Sequence, residues 1–269
     1  MKQIIATVVS KGNPIEGLYR PHGRSILFNQ PITLRCPEIA REAIPGQFIM
    51  VSCGGDCVLS RPFSIHHIIN RENVKLYFSV LEKGKGTSWL SQRQKGDTVE
   101  LFGPLGNGFS IYPSSRKLLL VAGGMGVASL YFLAEETFKN GYSVIMMYGT
   151  AIENRYPIDY LTPGVKTFIA TEDGSVGRKG KITEFIPEYI DWADQVFACG
   201  PMLMYRDIYA QREELLKDKP VQVSLEVGMG CGHGACYGCT IKTRRGLKQV
   251  CQDGPVFDLD DILWNELAL

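Results

Sequence analysis

The sequence predicts a β + α/β protein in three parts: an antiparallel β-barrel, a doubly wound α/β domain, and a small C-terminal domain held by cysteines. Three observations lead there. Up to about residue 112, short β-rich runs alternate with turn signals. From Lys117 onward, short apolar runs alternate with helical stretches. Four of the eight cysteines then fall between residues 231 and 251. A chain of 269 residues has room for two cores and an appendage.

In the first part, residues 4–9, 47–52, 74–81 and 98–102 have the composition of strands, separated by Pro45-Gly46, Gly54-Gly55 and Gly96-Asp97. Several short strands with regular punctuation suit a small antiparallel barrel. In the second part, residues 118–122, 143–148, 166–170 and 195–199 read as buried parallel strands. Residues 127–139, 182–190 and 202–217 read as helices, the first stopped by Asn140-Gly141. Alternating strand and helix implies a doubly wound sheet. After Pro220, Gly and Cys dominate, up to an acidic helix candidate over residues 258–267. So little apolar material calls for a metal centre as its staple. The expected domains are 1–113, 114–222 and 223–269.

Composition excludes several classes. With 45% apolar and 21% charged residues and a net charge of +1, no global field draws the chain to nucleic acid or to an anionic membrane. Residues 118–134 carry no charge, but Gly123, Gly124 and Gly126 interrupt them, and a strand, a turn and a helix start explain them better than a membrane span. The N-terminus lacks a signal-peptide pattern, so a cytoplasmic protein is expected. In that compartment clustered cysteines point to metal or thiol chemistry, not to disulfides.

The cluster reads Cys231-x4-Cys236-x2-Cys239-x11-Cys251. The first three positions fit the plant-type [2Fe–2S] loop, to which a fourth Cys comes from a distance. Four thiolates balance ferric charge, and interspersed glycines let backbone N–H groups reach the sulfurs. A structural zinc site is the rival, although Cys251 lacks the close partner that zinc knuckles use. His233, inside the loop, is read as a bystander.

Arg61-Pro62-Phe63-Ser64 combines a bidentate phosphate clamp, an aromatic able to cover a flavin face and a hydroxyl able to bond its ring. Downstream, Gly84-Lys85-Gly86-Thr87 opens a helix expected over residues 87–92, a start suited to a pyrophosphate. Gly123-Gly124-Met125-Gly126, followed by Val127, sits between strand and helix, the context of a dinucleotide turn, with Ser129 where a third glycine is usual. Cys199-Gly200-Pro201-Met202 ends a later strand at the carboxyl edge, where such sheets bind ligands. No Ser/His/Asp set or acid pair equips the chain for acid–base work, and His66-His67 is read as a surface pair beside the flavin motif. Cys53 and Cys57 are either idle thiols or a redox pair.

In this order, the motifs resemble the ferredoxin–NADP reductase superfamily. The tail from Met229 to Cys239, with Val250-Cys251 and Gly254-Pro255-Val256-Phe257, resembles its branch of electron-transfer subunits of type B (NAD-dependent) dihydroorotate dehydrogenases. The resemblance implies FAD held by Arg61, Pro62, Phe63 and Ser64, by Phe78, Ser79 and Val80, and by Gly86 and Thr87. It implies NAD(H) over Gly123, Gly124, Gly126, Val127 and Cys199 to Met202, and a [2Fe–2S] cluster on Cys231, Cys236, Cys239 and Cys251. It also implies an FMN-containing dihydroorotate dehydrogenase catalytic subunit as partner, in pyrimidine biosynthesis. An equivalent subunit of a hydrogenase or sulfite reductase, and a zinc-stapled or redox-sensing module without turnover, are the alternatives. Glu153 could favour NAD through a ribose diol, whereas Arg155, Arg178 or Lys179 could meet the 2′-phosphate of NADP. Residues 17–25, with Tyr19, Arg20, Pro21 and His22, form an extra segment without an assigned role.

Overall fold

Strand alternation shapes the first part of this computed structural model, which describes residues 2–16, 25–151 and 163–267. Its strands are β1 (Lys2–Lys11), β2 (Ile15–Glu16), β3 (Ile26–Arg35), β4 (Phe48–Val51), β5 (Arg61–Ser64), β6 (His67–Ile69), β7 (Asn73–Leu81) and β8 (Thr98–Leu105). They pair antiparallel in the order β5-β4-β8-β1-β3-β7-β6, with β2 added to β3. Val74, Leu76, Phe78 and Val80 of β7 all turn inward, as a period of two requires. The sheet curls until Phe63 of β5 meets Phe78 of β7 edge to face, ring centroids 5.1 Å apart. Two short helices, α1 (Pro37–Ala40) and α2 (Lys85–Ser91), add Ile39 and Leu90 to this core. Strand β3 has no counterpart in the sequence reading, because Asn29, Gln30 and Pro31 break its apolar run.

The second sheet has the order β12-β11-β10-β9-β13-β14-β17. Its parallel members are β9 (Lys117–Gly123), β10 (Ser143–Thr150), β11 (Lys166–Thr171), β12 (Arg178–Lys179), β13 (Gln195–Cys199) and β14 (Val221–Ser224). Helix α3 (Gly126–Lys139) follows β9. The expected helix over 182–190 is instead a 3-10 turn, Ile182–Phe185, and a new helix, α4 (Pro187–Ile190). Proline at the start of a helix lacks only an N–H that would have no partner there. Likewise the helix expected over 202–217 breaks at Gln211 into α5 (Met202–Ala210) and α6 (Arg212–Leu216).

The C-terminal part holds the hairpin β15 (Thr240–Thr243) and β16 (Gly246–Gln249), then α7 (Val250–Asp253). Strand β17 (Val256–Asp258) pairs antiparallel with β14, so this segment adds an edge strand to the second sheet. No α-helix occupies residues 258–267. Two 3-10 turns, Leu259–Asp261 and Trp264–Glu266, stand there, because burying Leu259, Ile262 and Trp264 together needs an irregular path. The Trp264 indole N–H donates to the Leu259 carbonyl at 2.9 Å. No helix among the described residues is long and apolar enough to cross a membrane. Residues 17–24, Glu153 and Arg155 lie outside the described residues.

Candidate functional site

Strand β5 sets the first site. Arg61 lies across from Val51 and Pro62 from Met50, and the Arg61 guanidinium donates to the Leu59 carbonyl at 2.7 Å. Its side chain rests on the first turn of α2. A Cβ built on Gly86 would come within 2.8 Å of Arg61 Cγ, so a side chain larger than glycine would push the arginine away. Arg61, Gly86 and Thr87 thus meet at one end of the barrel, as a phosphate clamp needs. Phe63 and Phe78 pack on each other edge to face. Both rings are buried in the barrel core. On β5 the alternate residues Pro62 and Ser64 are only partly buried. On β7 it is Ser79 that is partly exposed, its hydroxyl donating to Asn29 Oδ1 at 2.7 Å, while Val80 turns inward. Asn29 is fully buried and its Nδ2 has no hydrogen-bond partner, an orphaned donor beside Ser79.

The second site lies where the strand order reverses. From β9 the chain moves out through β10, β11 and β12, then returns to β13 on the other side of β9. Such a switch point leaves a crevice at the carboxyl ends of the strands. Gly123, Gly124, Gly126 and Val127 border it on one side, Cys199, Gly200, Pro201 and Met202 on the other. The two motifs touch: a Cβ on Gly126 would sit 1.9 Å from the Cys199 carbonyl oxygen. Gly124 has φ +52 with open space where a side chain would go, as a turn that admits a ligand backbone-first requires. Tyr205 locks the second motif, accepting from the Gly200 N–H at 2.8 Å and donating to the Ser224 carbonyl at 2.6 Å. The Cys199 thiol is fully buried, and burial pushes its pKa up to about 12, so this residue offers only its backbone. Of the cations considered for a 2′-phosphate, Arg178 is held by both oxygens of Glu188 at 2.6 and 2.7 Å and covers the Phe185 ring.

The four clustered cysteines form two pairs. Cys236 N–H donates to Cys231 Sγ at 3.4 Å, and Cys251 N–H donates to Cys239 Sγ at 3.4 Å. Gly234 N–H reaches Cys251 Sγ at 3.2 Å, and Gly238 N–H reaches Cys236 Sγ at 3.5 Å. Burial works to raise the Cys231 thiol, but hydrogen bonds from the backbone of His233, Cys236 and Ala235 outweigh it and bring the pKa down to about 6. Among the described residues no three His, Cys, Asp or Glu gather as a single ion would need. Four thiols with backbone N–H groups at their sulfurs are the soft donor set that an iron–sulfur centre takes. His233 is exposed and turns its Nδ1 to the Cys231 carbonyl at 2.8 Å.

Met50 brings the parts together. Fully buried on β4, it lies across from Pro62, and its Cγ is 2.5 Å from where a Cβ on Gly232 would stand. The cysteine loop therefore rests on the strand next to Arg61–Ser64. Sequence reading also missed His66, which is buried, not exposed, because its ring packs between Tyr77 and Tyr131. Its only local signal was its position right after the Arg61–Ser64 motif. Cys53 is buried with its pKa raised by burial to about 11, and both Cys53 and Cys57 are free thiols.

Comparison with known proteins gives a consistent set. Residues 226–263 match the iron–sulfur cluster binding domain of dihydroorotate dehydrogenase B. The dihydroorotate dehydrogenase B (NAD(+)) electron transfer subunit of Desulforamulus reducens is 38% identical over 239 residues, covering 85% of this chain and 90% of the relative. The subunit of the same name from Bacillus pumilus is 34% identical over 272 residues, covering 97% and 98%. A solved structure of the NADH-dependent reduced ferredoxin-NADP oxidoreductase superposes with a TM-score of 0.82 at 26% identity, covering 97% of this chain and 91% of that one. The ferredoxin reductase of carbazole 1,9a-dioxygenase (TM-score 0.63, 20% identity, 82% and 68% covered) shares the fold.

Proposed function

The chain belongs to the family of dihydroorotate dehydrogenase B (NAD(+)) electron transfer subunits, and from that membership we propose how its residues divide the work of an electron-transfer flavoprotein. Electrons pass between NAD(H) and a [2Fe–2S] cluster through FAD, because a flavin exchanges hydride with a nicotinamide and single electrons with an iron–sulfur centre. Arg61, Gly86 and Thr87 hold the FAD pyrophosphate, while Pro62, Ser64 and Ser79 border its ring. Gly123 to Val127 and Gly200 to Met202 receive NAD(H). Cys231 with Cys236, and Cys239 with Cys251, hold the cluster, whose sulfurs accept the surrounding N–H groups. On this division the three parts are a flavin barrel (1–113), a dinucleotide domain (114–222) and a cluster domain (223–269).

The observation that carries this reading is the contact of Gly232 with Met50, which seats the cysteine loop beside the flavin strand. A subunit named for electron transfer implies a catalytic partner. We take it to be an FMN-containing dihydroorotate dehydrogenase subunit. The isolated chain is expected to reduce artificial acceptors with NADH yet leave dihydroorotate untouched, since its sequence carries no Ser/His/Asp set or acid pair for acid–base work on a second substrate. Turnover of dihydroorotate by the chain alone would refute the division of labour. Inability to oxidise NADH or NADPH despite full FAD and iron would refute the dinucleotide assignment.

Arg61→Ala tests the flavin site. Losing one charge-assisted phosphate contact costs about 1.5–3 kcal/mol, so FAD affinity is expected to fall roughly tenfold to a hundredfold. Flavin retained through dialysis as in the parent would make Arg61 a surface residue only.

A further inference from the structure

His66 links two motifs that lie far apart in sequence. It is the second residue after Ser64 of the flavin strand, and its ring Nδ1 lies 2.9 Å from the carbonyl oxygen of Ala128, the second residue after Gly126 of the dinucleotide turn. A carbonyl can only accept, so Nδ1 carries the proton and donates. The backbone holds the ring in place from the barrel side, His66 N–H donating to the Lys75 carbonyl at 3.0 Å. Tyr131 of α3 stacks on the ring at 4.5 Å between centroids, and Tyr77 of β7 packs on it at 5.7 Å. The residue is 3% exposed, and burial lowers its pKa to about 3, so the ring is neutral at physiological pH and the bond persists there.

Other polar links between the barrel side and the second sheet run through the connecting segment. The Ser110 N–H donates to Gln222 Oε1 and the Tyr112 N–H to Gln195 Oε1, both at 3.0 Å and both on the connecting segment. They hold the two parts together without touching either motif. We propose that His66 is a positioning residue for hydride transfer, fixing the dinucleotide turn against the flavin strand so that the two reacting rings meet at the right separation. This rests on the functional reading above. With both cofactors bound, FAD would accept the hydride that the reduced nicotinamide gives up when its C–H bond breaks, leaving NAD⁺, and His66 would act only on the placement of the two rings. A displacement of about 1 Å in such a reaction can cost roughly a hundredfold in rate.

The test uses the FAD- and cluster-loaded protein and two variants. His66→Phe keeps an aromatic ring in the stack but has no donor, whereas His66→Asn places an amide N–H near the position of Nδ1. In His66→Phe, FAD and iron content and NADH affinity are expected to match the parent, while the limiting rate of flavin reduction falls about tenfold to a hundredfold. Amide hydrogen exchange at Val127 and Ala128 should quicken in the same variant, a readout independent of turnover. His66→Asn should recover most of both. A His66→Phe protein reduced as fast as the parent, or a loss that Asn fails to relieve, overturns the assignment. Should His66→Phe not fold, nitrogen NMR of the parent decides. A neutral Nδ1–H ring between about pH 8 and 5 supports the proposal, and a ring protonated at Nε2 or titrating in that range overturns it. A parent whose flavin neither NADH nor NADPH reduces overturns the functional reading itself, a result distinct from the failure of His66 alone.

Discussion

Gly126→Ala is expected to abolish dinucleotide binding and to destabilise the protein by about 3 kcal/mol or more. The added methyl would meet the Cys199 carbonyl oxygen at 1.9 Å, its carbon at 2.3 Å and Gly200 N at 2.7 Å. All three are backbone atoms, so no rotamer change relieves the clash. The start of α3 must move away from the end of β13, which opens the crevice at the switch point and drags fully buried Val127 from its packing. Gly124→Ala is the control. Its methyl points into open space, and the cost is the left-handed conformation at φ +52, about 1–2 kcal/mol. Thermal unfolding and the KM for NADH separate them: a large loss of stability and no measurable binding for Gly126→Ala, against a small loss of stability and a raised KM for Gly124→Ala. Equal melting temperatures for Gly126→Ala and the parent would show that the two motifs are not in contact.

Cys236→Ser is expected to strip iron from the protein while FAD stays at full occupancy. Cys236 is exposed, and its partner Cys231 is only partly buried, so removing this ligand opens the outer pair. The inner pair differs. Cys239 and Cys251 are buried in a core shared with Val250, Leu259 and Trp264, and β17 remains hydrogen-bonded to β14. That apolar seat holds the segment in place when the cluster goes, and the residues proposed for the flavin lie on β5 and α2, in the barrel part. Metal binding contributes folding energy wherever the site forms only in the folded chain, so a modest fall in melting temperature should accompany the iron loss. Iron, flavin and visible absorption per chain measure the outcome. Loss of both cofactors from a folded protein would mean that the sites are coupled more tightly than the contacts through Met50 allow. Cys251→Ser, at a buried position, should lower stability further than Cys236→Ser.

The sequence by itself determined what depends on residue type and short spacing. Four thiols at 231, 236, 239 and 251 mark the candidate metal centre by their spacing alone, and the strand–glycine–helix passage at 118–139 marks the turn proposed for the nucleotide. Strand β13 and helix α3 were legible because an apolar run with a clear stop is a local signal. The tertiary structure decided everything set by contacts between distant residues. It turned Phe63 into the barrel against Phe78, through alternation on β5 and the curl of the sheet. It buried His66 against Ala128, though a histidine beside another histidine reads as surface. It replaced the helix expected at 258–267 with two 3-10 turns following the edge strand β17, because pairing with β14 and burial of Trp264 outweigh local helix propensity. Motif chemistry is carried by the side chains themselves. Which face each side chain presents is settled only when the sheets close on one another, and no window of sequence contains both partners of those contacts.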